Sequence, residues 1–171
     1  MRPATREEED AIIGFFDGMD PSVFGRVAGP HRLAIVERDG IQFVALATDL
    51  ALRLPPEVLA GADAGGLPIG TFEDGTFHLD LQGAVLAARH TKAQSVRLNE
   101  HAARLFLYGR NALATSVEGH DPSLEKGDAC IVTNPRGECV GIGVVVGSFK
   151  GTKEAVRPVV DLGTYLRDQD E

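Results

Sequence analysis

The chain has 171 residues, 43% of them apolar, and a formal net charge of −8. That length and apolar share suit one large or two small folded domains and exclude global disorder. No apolar run approaches the ~20 residues of a membrane span, and no basic-then-apolar leader opens the chain, so a soluble, intracellular protein without a membrane partner is expected. The acidic total, taken alone, argues against nucleic acid, but its distribution does not. Residues 1–88 hold 6 Lys and Arg against 14 Asp and Glu, whereas residues 89–171 hold 11 of each. Without the acidic end Asp168–Glu171, the second stretch is +3. Such an asymmetry implies two modules with different tasks.

A helix opens the chain. Thr5 is its candidate N-cap, Glu8 completes a capping box, and Glu7–Asp10 suit the positive end of the helix dipole. Ile12, Ile13, Phe15 and Phe16 supply its apolar face. Two β-rich runs between His31 and Asp49 then flank Asp39–Gly40, a two-residue type I′ hairpin signal. Thr48 is positioned to cap a short helix through Leu54, which Pro55–Pro56 ends. Residues 59–68 read as a loop, 68–72 and 76–81 as strands around the turn 73–75, 83–89 as a helix and 94–98 as a strand. The first module is therefore mixed α/β, with an antiparallel sheet covered by short helices.

A boundary near Arg97–Arg104 fits the charge shift, and the domains are divided as 1–92 and 93–171. Leu105–Tyr108 reads as a strand-like run that breaks at Gly109, and Arg110–Thr115 as a short helix. Residues 128–133 and 138–149 are strands around the turn Asn134–Gly137. Residues 155–162 form a last strand, in which Pro158 demands an edge position or a bulge. The second module is expected to be a small β-barrel with one or two helical turns, giving an α+β chain overall.

Chemistry-bearing patterns are sparse. Cys130 and Cys139 fall on one face of a hairpin but diagonally offset, a poor disulfide geometry, and read as small apolar residues. Gly141, Gly143 and Gly147 miss the G-x-G-x-x-G spacing by one residue and open no helix; they read as sites of close packing or a bulge. His31, His78, His90, His101 and His120 lack metal-ligand spacing. No catalytic residue, metal or cofactor is therefore assigned.

Three fragments in order carry a family likeness: Met1, Arg2, Pro3, Thr5, Glu7 and Glu8 at the start; Phe106–Gly109 at the joint; and Asp161, Leu162, Gly163, Tyr165, Leu166 and Arg167 at the end. With these, the chain resembles the archaeal form of the nuclear import protein seven family of ribosome biogenesis factors, and its second half resembles a PUA domain, a small RNA-binding barrel. The resemblance covers nearly the full length. It implies a first domain for contacts with ribosome assembly or RNA-processing proteins and a PUA barrel for RNA. The chain would be a non-enzymatic factor in large-subunit pre-rRNA processing, cytoplasmic in an archaeon and nuclear or nucleolar in a eukaryote. Two connections are shorter than the family's, one before His31 and one before Asp161.

The residues themselves support an RNA face. Five cations (Arg89, Lys92, Arg97, Arg104 and Arg110) share a stretch with one acid, Glu100. Lys150, Lys153 and Arg157 form a second group, which sheet pairing would bring beside Arg110. Arg110 and Asn111 would start a helix whose positive end faces phosphate. Asn111 would read a base edge of a single-stranded, uridine-rich RNA. Tyr108 reads either as half core, its hydroxyl bonded to backbone, or as a stacking face for a base. Binding of this kind weakens with salt. Two alternatives are a protein-interaction module with little RNA binding and a PUA-containing RNA-modification enzyme or accessory.

Overall fold

The computed structural model describes residues 1–55 and 65–163. The chain divides into two compact units, Met1–Gly83 and Ala84–Glu171.

The first unit carries a five-stranded antiparallel sheet in the order β1–β2–β3–β4–β5. Its strands are β1 (Arg2–Pro3), β2 (Arg32–Arg38), β3 (Ile41–Ala47), β4 (Leu67–Glu73) and β5 (Thr76–Leu79). Both predicted hairpins form. Asp39–Gly40 and Asp74–Gly75 take positive φ at both positions (51° and 78°; 48° and 76°), the geometry whose twist matches paired strands. Helix α1 (Arg6–Met19) starts at the predicted capping box, in which the Glu8 amide donates to Thr5 Oγ1 and the Thr5 amide to Glu8 Oε2. Arg2 adds a bidentate contact to the Glu8 carboxylate at 2.8 and 2.6 Å. The apolar face of α1 buries Ile12 and Phe16, and the Phe15 and Phe16 rings both pack on Phe77 of β5. A short helix α2 (Val23–Ala28), unmarked in the sequence reading, buries Val23, Val27 and Ala28. Thr48 accepts from the Ala51 amide at a single 3-10 turn, Ala51–Arg53, rather than capping a helix through Leu54. Much of the loop expected at 59–68 lies outside the described residues.

Helix α3 (Leu81–Ala88) spans the division. Asp80 holds its first turn by accepting from the Gly83 amide at 2.8 Å. Burial nevertheless pushes the Asp80 carboxyl above its ordinary value.

The second unit is a six-stranded sheet in the order β7–β11–β10–β9–β6–β8. The strands are β6 (Ser95–Leu98), β7 (Ala112–Leu113), β8 (Val117–His120), β9 (Ala129–Thr133), β10 (Cys139–Val145) and β11 (Glu154–Asp161). The two edge strands, β7 and β8, are consecutive in the chain and joined by one 3-10 turn, Ala114–Ser116. A connection that short brings the two edges together, so the sheet curls into a nearly closed barrel. Helix α4 (Glu100–Phe106) plugs it: Ala102, Ala103 and Phe106 join Val96, Leu98, Val132, Val140 and Val156 in one buried cluster.

Several expectations give way here. The strand-like run at Leu105–Tyr108 is the end of α4 and the turn after it. Asn99 caps α4 by accepting from the Ala102 amide at 2.8 Å, and the buried positions 102, 103 and 106 follow helical spacing. The helix expected over Arg110–Thr115 is instead β7 and the 3-10 turn. The strand at 94–98 forms, and it joins this barrel by pairing parallel to β9. Pro158 sits at a bulge, as required: Ile142 faces Val160 while Gly143 faces Pro158, which leaves Val159 unpaired and 67% exposed. Cys130 and Cys139 are both free and buried. Cys130 faces Gly143 and Cys139 faces Thr133, so they are not cross-strand partners.

Candidate nucleic-acid interface

The chain turns out of α4 at Gly109. Gly109 lies at φ 72°, a left-handed conformation that ends helices at little cost. The Gly109 amide donates to the Phe106 carbonyl at 2.9 Å and the Arg110 amide to the Leu105 carbonyl at 3.2 Å. The chain then leaves α4 and enters β7 through Arg110 and Asn111. These two residues start no helix, so the phosphate contact expected from a helix dipole is absent at that point.

Sheet register supplies a different arrangement. In the antiparallel pairing of β7 with β11, Leu113 faces Glu154 and Ala112 faces Val156. Asn111 and Arg110 directly precede Ala112 in the chain, and Arg157 directly follows Val156. At the other end of the pairing the Ala114 amide donates to the Lys153 carbonyl at 2.9 Å. Arg110, Asn111, Lys153 and Arg157 therefore lie along one edge of the barrel, and all four are exposed. Tyr108 immediately precedes them and is 72% exposed, so the half-core reading of this ring does not hold.

Lys150 is exposed in the loop between β10 and β11. Its neighbour Phe149 stacks on His120 of β8, with ring centroids 4.0 Å apart and planes 17° apart. The loop between β10 and β11 thus reaches β8 at Phe149. Among the described residues Arg110, Lys150, Lys153 and Arg157 form no ion pair. In the first unit, by contrast, Arg2, Arg6 and Arg32 pair with Glu8, Asp10 and Asp49. Unpaired cations on the barrel are free to neutralise an external anion.

A second gathering of cations was not singled out from sequence. Lys92, Arg97 and Arg136 line a groove of about 510 Å³ between the segment after α3, the outer face of β6 and β8, and the β9–β10 turn. Lys92 and Arg97 belong to the cation-rich stretch noted above. Arg136 arrives only through the parallel pairing of β6 with β9, in which Arg97 faces Thr133 just before the turn.

Among the described residues no cluster of His, Cys, Asp or Glu could hold a metal ion, and no helix is long and apolar enough to cross a membrane. Burial pushes the Cys130 and Cys139 thiols up to about 12 and about 11, far from the range of a reactive thiolate. The three barrel glycines are packing sites: a Cβ at Gly141 would meet the Val160 carbonyl and the Phe106 ring, one at Gly143 the Val156 side chain, and one at Gly147 the Glu154 carbonyl.

The second unit is thus a nearly closed barrel, plugged by a helix and edged with exposed cations. Residues 94–170 match the profile of the UPF0113 PUA domain, and this part of the chain is a PUA domain, a module that typically binds RNA. No curated protein matches the chain. Solved structures similar to it include a conserved PUA domain protein from Thermoplasma acidophilum, at 16% identity over 98% of this chain and 97% of that one, with a TM-score of 0.66. A hypothetical protein from Pyrococcus horikoshii is 14% identical over 94% of this chain and 93% of that one, with a TM-score of 0.67. A PUA domain from Aeropyrum pernix, in complex with tartrate, is 18% identical over 96% and 87%, with a TM-score of 0.53. At these identities the likeness is one of fold, and it extends over the first unit as well as the barrel.

Proposed function

We propose that the protein is a non-enzymatic, RNA-binding factor of ribosome biogenesis that assists processing and assembly of the large-subunit rRNA. In this reading the barrel holds single-stranded, uridine-rich precursor RNA and the first unit contacts protein partners, in the cytoplasm of an archaeon. The observation that carries it is the alignment of Arg110, Asn111, Lys153 and Arg157 along the β7–β11 edge, exposed and without carboxylate partners among the described residues. Tyr108, exposed next to them, suits a stacked base. The likeness of the chain's start, joint and end to the nuclear import protein seven family, together with the PUA domain, supports the assignment to ribosome biogenesis.

The test is an anisotropy titration of a labelled oligouridine at several salt concentrations. Three phosphates neutralised by Arg110, Lys153 and Arg157 give a slope of about −2.1 in log K against log salt, or roughly a 20-fold loss between 50 and 200 mM. A flat titration at low salt overturns the reading. Recovery of pre-ribosomal particles with the tagged protein, with and without ribonuclease, separates contacts made through RNA from those made through protein.

A further inference from the structure

The groove lined by Lys92, Arg97 and Arg136 has a character of its own. Its floor is the outer face of β6 and β8, where Arg97 faces Gly119. Because residue 119 lacks a side chain, the Arg97 guanidinium lies across it: a Cβ there would sit 3.4 Å from Arg97 Nη2. Arg97 Nε is 3.8 Å from Glu118, and its side chain remains 44% exposed. Lys92 stands on one wall, fixed by the Ser95 hydroxyl, which donates to the Lys92 carbonyl at 2.6 Å. Arg136 stands on the other wall, in a turn held by Asn134 Oδ1, which accepts from the Arg136 amide at 2.9 Å and the Glu138 amide at 3.0 Å. Neither Lys92 nor Arg136 has an ion-pair partner among the described residues.

The one carboxylate lining the groove is already engaged. Asp121 accepts from the Ser123 amide and hydroxyl at 2.9 and 2.8 Å and from the Gln94 amide at 2.7 Å. Three cations thus stand beside one lining acid, Asp121, whose oxygens already accept from two amides and a hydroxyl, and Glu118 pairs with Arg97 alone. At the same end His120 presents an aromatic ring fixed in place, stacked on Phe149 and bonded through Nδ1 to the Asp121 carbonyl. Pro122 and Pro135 add apolar surface. The space is larger than an inorganic phosphate needs, and it combines a cationic centre with a flat aromatic end.

From this juxtaposition we infer that the groove binds a nucleoside monophosphate unit, its phosphate between Lys92, Arg97 and Arg136 and its base toward His120. The unit has two sources with the same chemistry, a free nucleotide or the 5′-phosphorylated end of an RNA strand. The inference does not depend on the β7–β11 edge.

Amide spectra of the full chain test it directly. Uridine 5′-monophosphate should move the Gly119, His120 and Gly137 resonances saturably, whereas uridine should not. Inorganic phosphate should bind at least 10-fold more weakly. The Lys92→Ala/Arg136→Ala variant, whose unchanged melting temperature shows that it folds, should lose the response by 10-fold or more. An oligouridine with a 5′ phosphate that competes with the nucleotide, while its 5′-hydroxyl form does not, identifies the strand end as an occupant; failure of both to compete identifies the free nucleotide. Absence of a saturable response to the nucleotide, an equal response to inorganic phosphate, or an undiminished response in the variant overturns the inference. The reading of the β7–β11 edge fails separately, through loss of oligouridine binding that Arg110 and Arg157 control.

Discussion

Gly141→Ala is a sharp test of how the barrel is built. Gly141 is in an ordinary strand conformation, so the added methyl meets no backbone strain of its own. It meets neighbours: the Val160 carbonyl oxygen at 2.5 Å, the Asp161 Cα at 2.9 Å and Phe106 Cε1 at 2.9 Å. An ordinary carbon–oxygen contact needs about 3.3 Å or more, so β10 and β11 would have to part by about 0.8 Å, against a fully buried ring. Overpacking of this kind costs about 1–3 kcal/mol, and backbone as the obstacle puts the variant in the upper half of that range. For a unit of this size, about 2–3 kcal/mol lowers the melting temperature by roughly 10–20 °C. Gly119→Ala is the control. Its nearest neighbour is the end of the flexible Arg97 side chain at 3.4 Å, and alanine is favoured over glycine inside a strand by about 0.5–1 kcal/mol. Calorimetry or thermal circular dichroism of both variants reads the contrast. A Gly141→Ala protein melting within about 3 °C of the wild type would refute the packing argument.

Other outcomes follow from the same geometry. Arg110→Ala or Arg157→Ala should each reduce the salt slope of oligouridine binding by about 0.7, measured by anisotropy, with the melting temperature unchanged. Asn99→Ala removes the cap of α4 and should cost about 1 kcal/mol in urea unfolding, while Asn99→Asp should restore most of it. The Arg2 guanidinium, with the Thr5 amide and hydroxyl, lowers the Glu8 carboxyl to about 2. Because the folded value lies below the unfolded one, this contribution is fully present above about pH 4.5 and is lost as pH falls toward 2. The stability difference between wild type and Glu8→Gln, followed by acid titration, should therefore shrink across that window. Cys130 and Cys139 should resist a thiol reagent at pH 8 until denaturant opens the barrel, because burial keeps both protonated.

The parts of the fold that could be read from the residues are those fixed by local chemistry. Asp–Gly pairs dictate type I′ turns wherever two β-rich runs flank them, and Thr5 with Glu8 closes a capping box without help from the rest of the chain. Pro158 announces an irregularity because a missing N–H cannot be supplied from elsewhere. Helix α4 departs from the sequence expectation for an equally local reason. Leu105, Phe106 and Tyr108 are good strand formers, and their apolar run hid the Asn99 cap and the helical spacing of Ala102, Ala103 and Phe106. The parallel pairing of β6 with β9 joins residues more than thirty positions apart, and no feature of either segment specifies its partner.

The candidate interface shows the same division. Cations and an exposed ring could be named from sequence, but what gathers them is sheet register. Val156 comes beside Ala112 because β11 runs antiparallel to β7, and the β10–β11 loop reaches β8 because Phe149 finds His120. Arg97 and Arg136 meet for a comparable reason: a parallel strand pair ends where a turn begins. A cation's position in sequence therefore says little about its electrostatic neighbours, whereas the strand ladder says a great deal. The ladder also accounts for how an acidic chain presents basic surfaces. Three arginines of the first unit are neutralised by nearby carboxylates, and among the barrel cations of the described residues only Arg97 has one within 4 Å. Net charge sums over both populations, but a phosphate responds to the unpaired one, so the sign of the whole molecule does not decide the sign of any one of its faces.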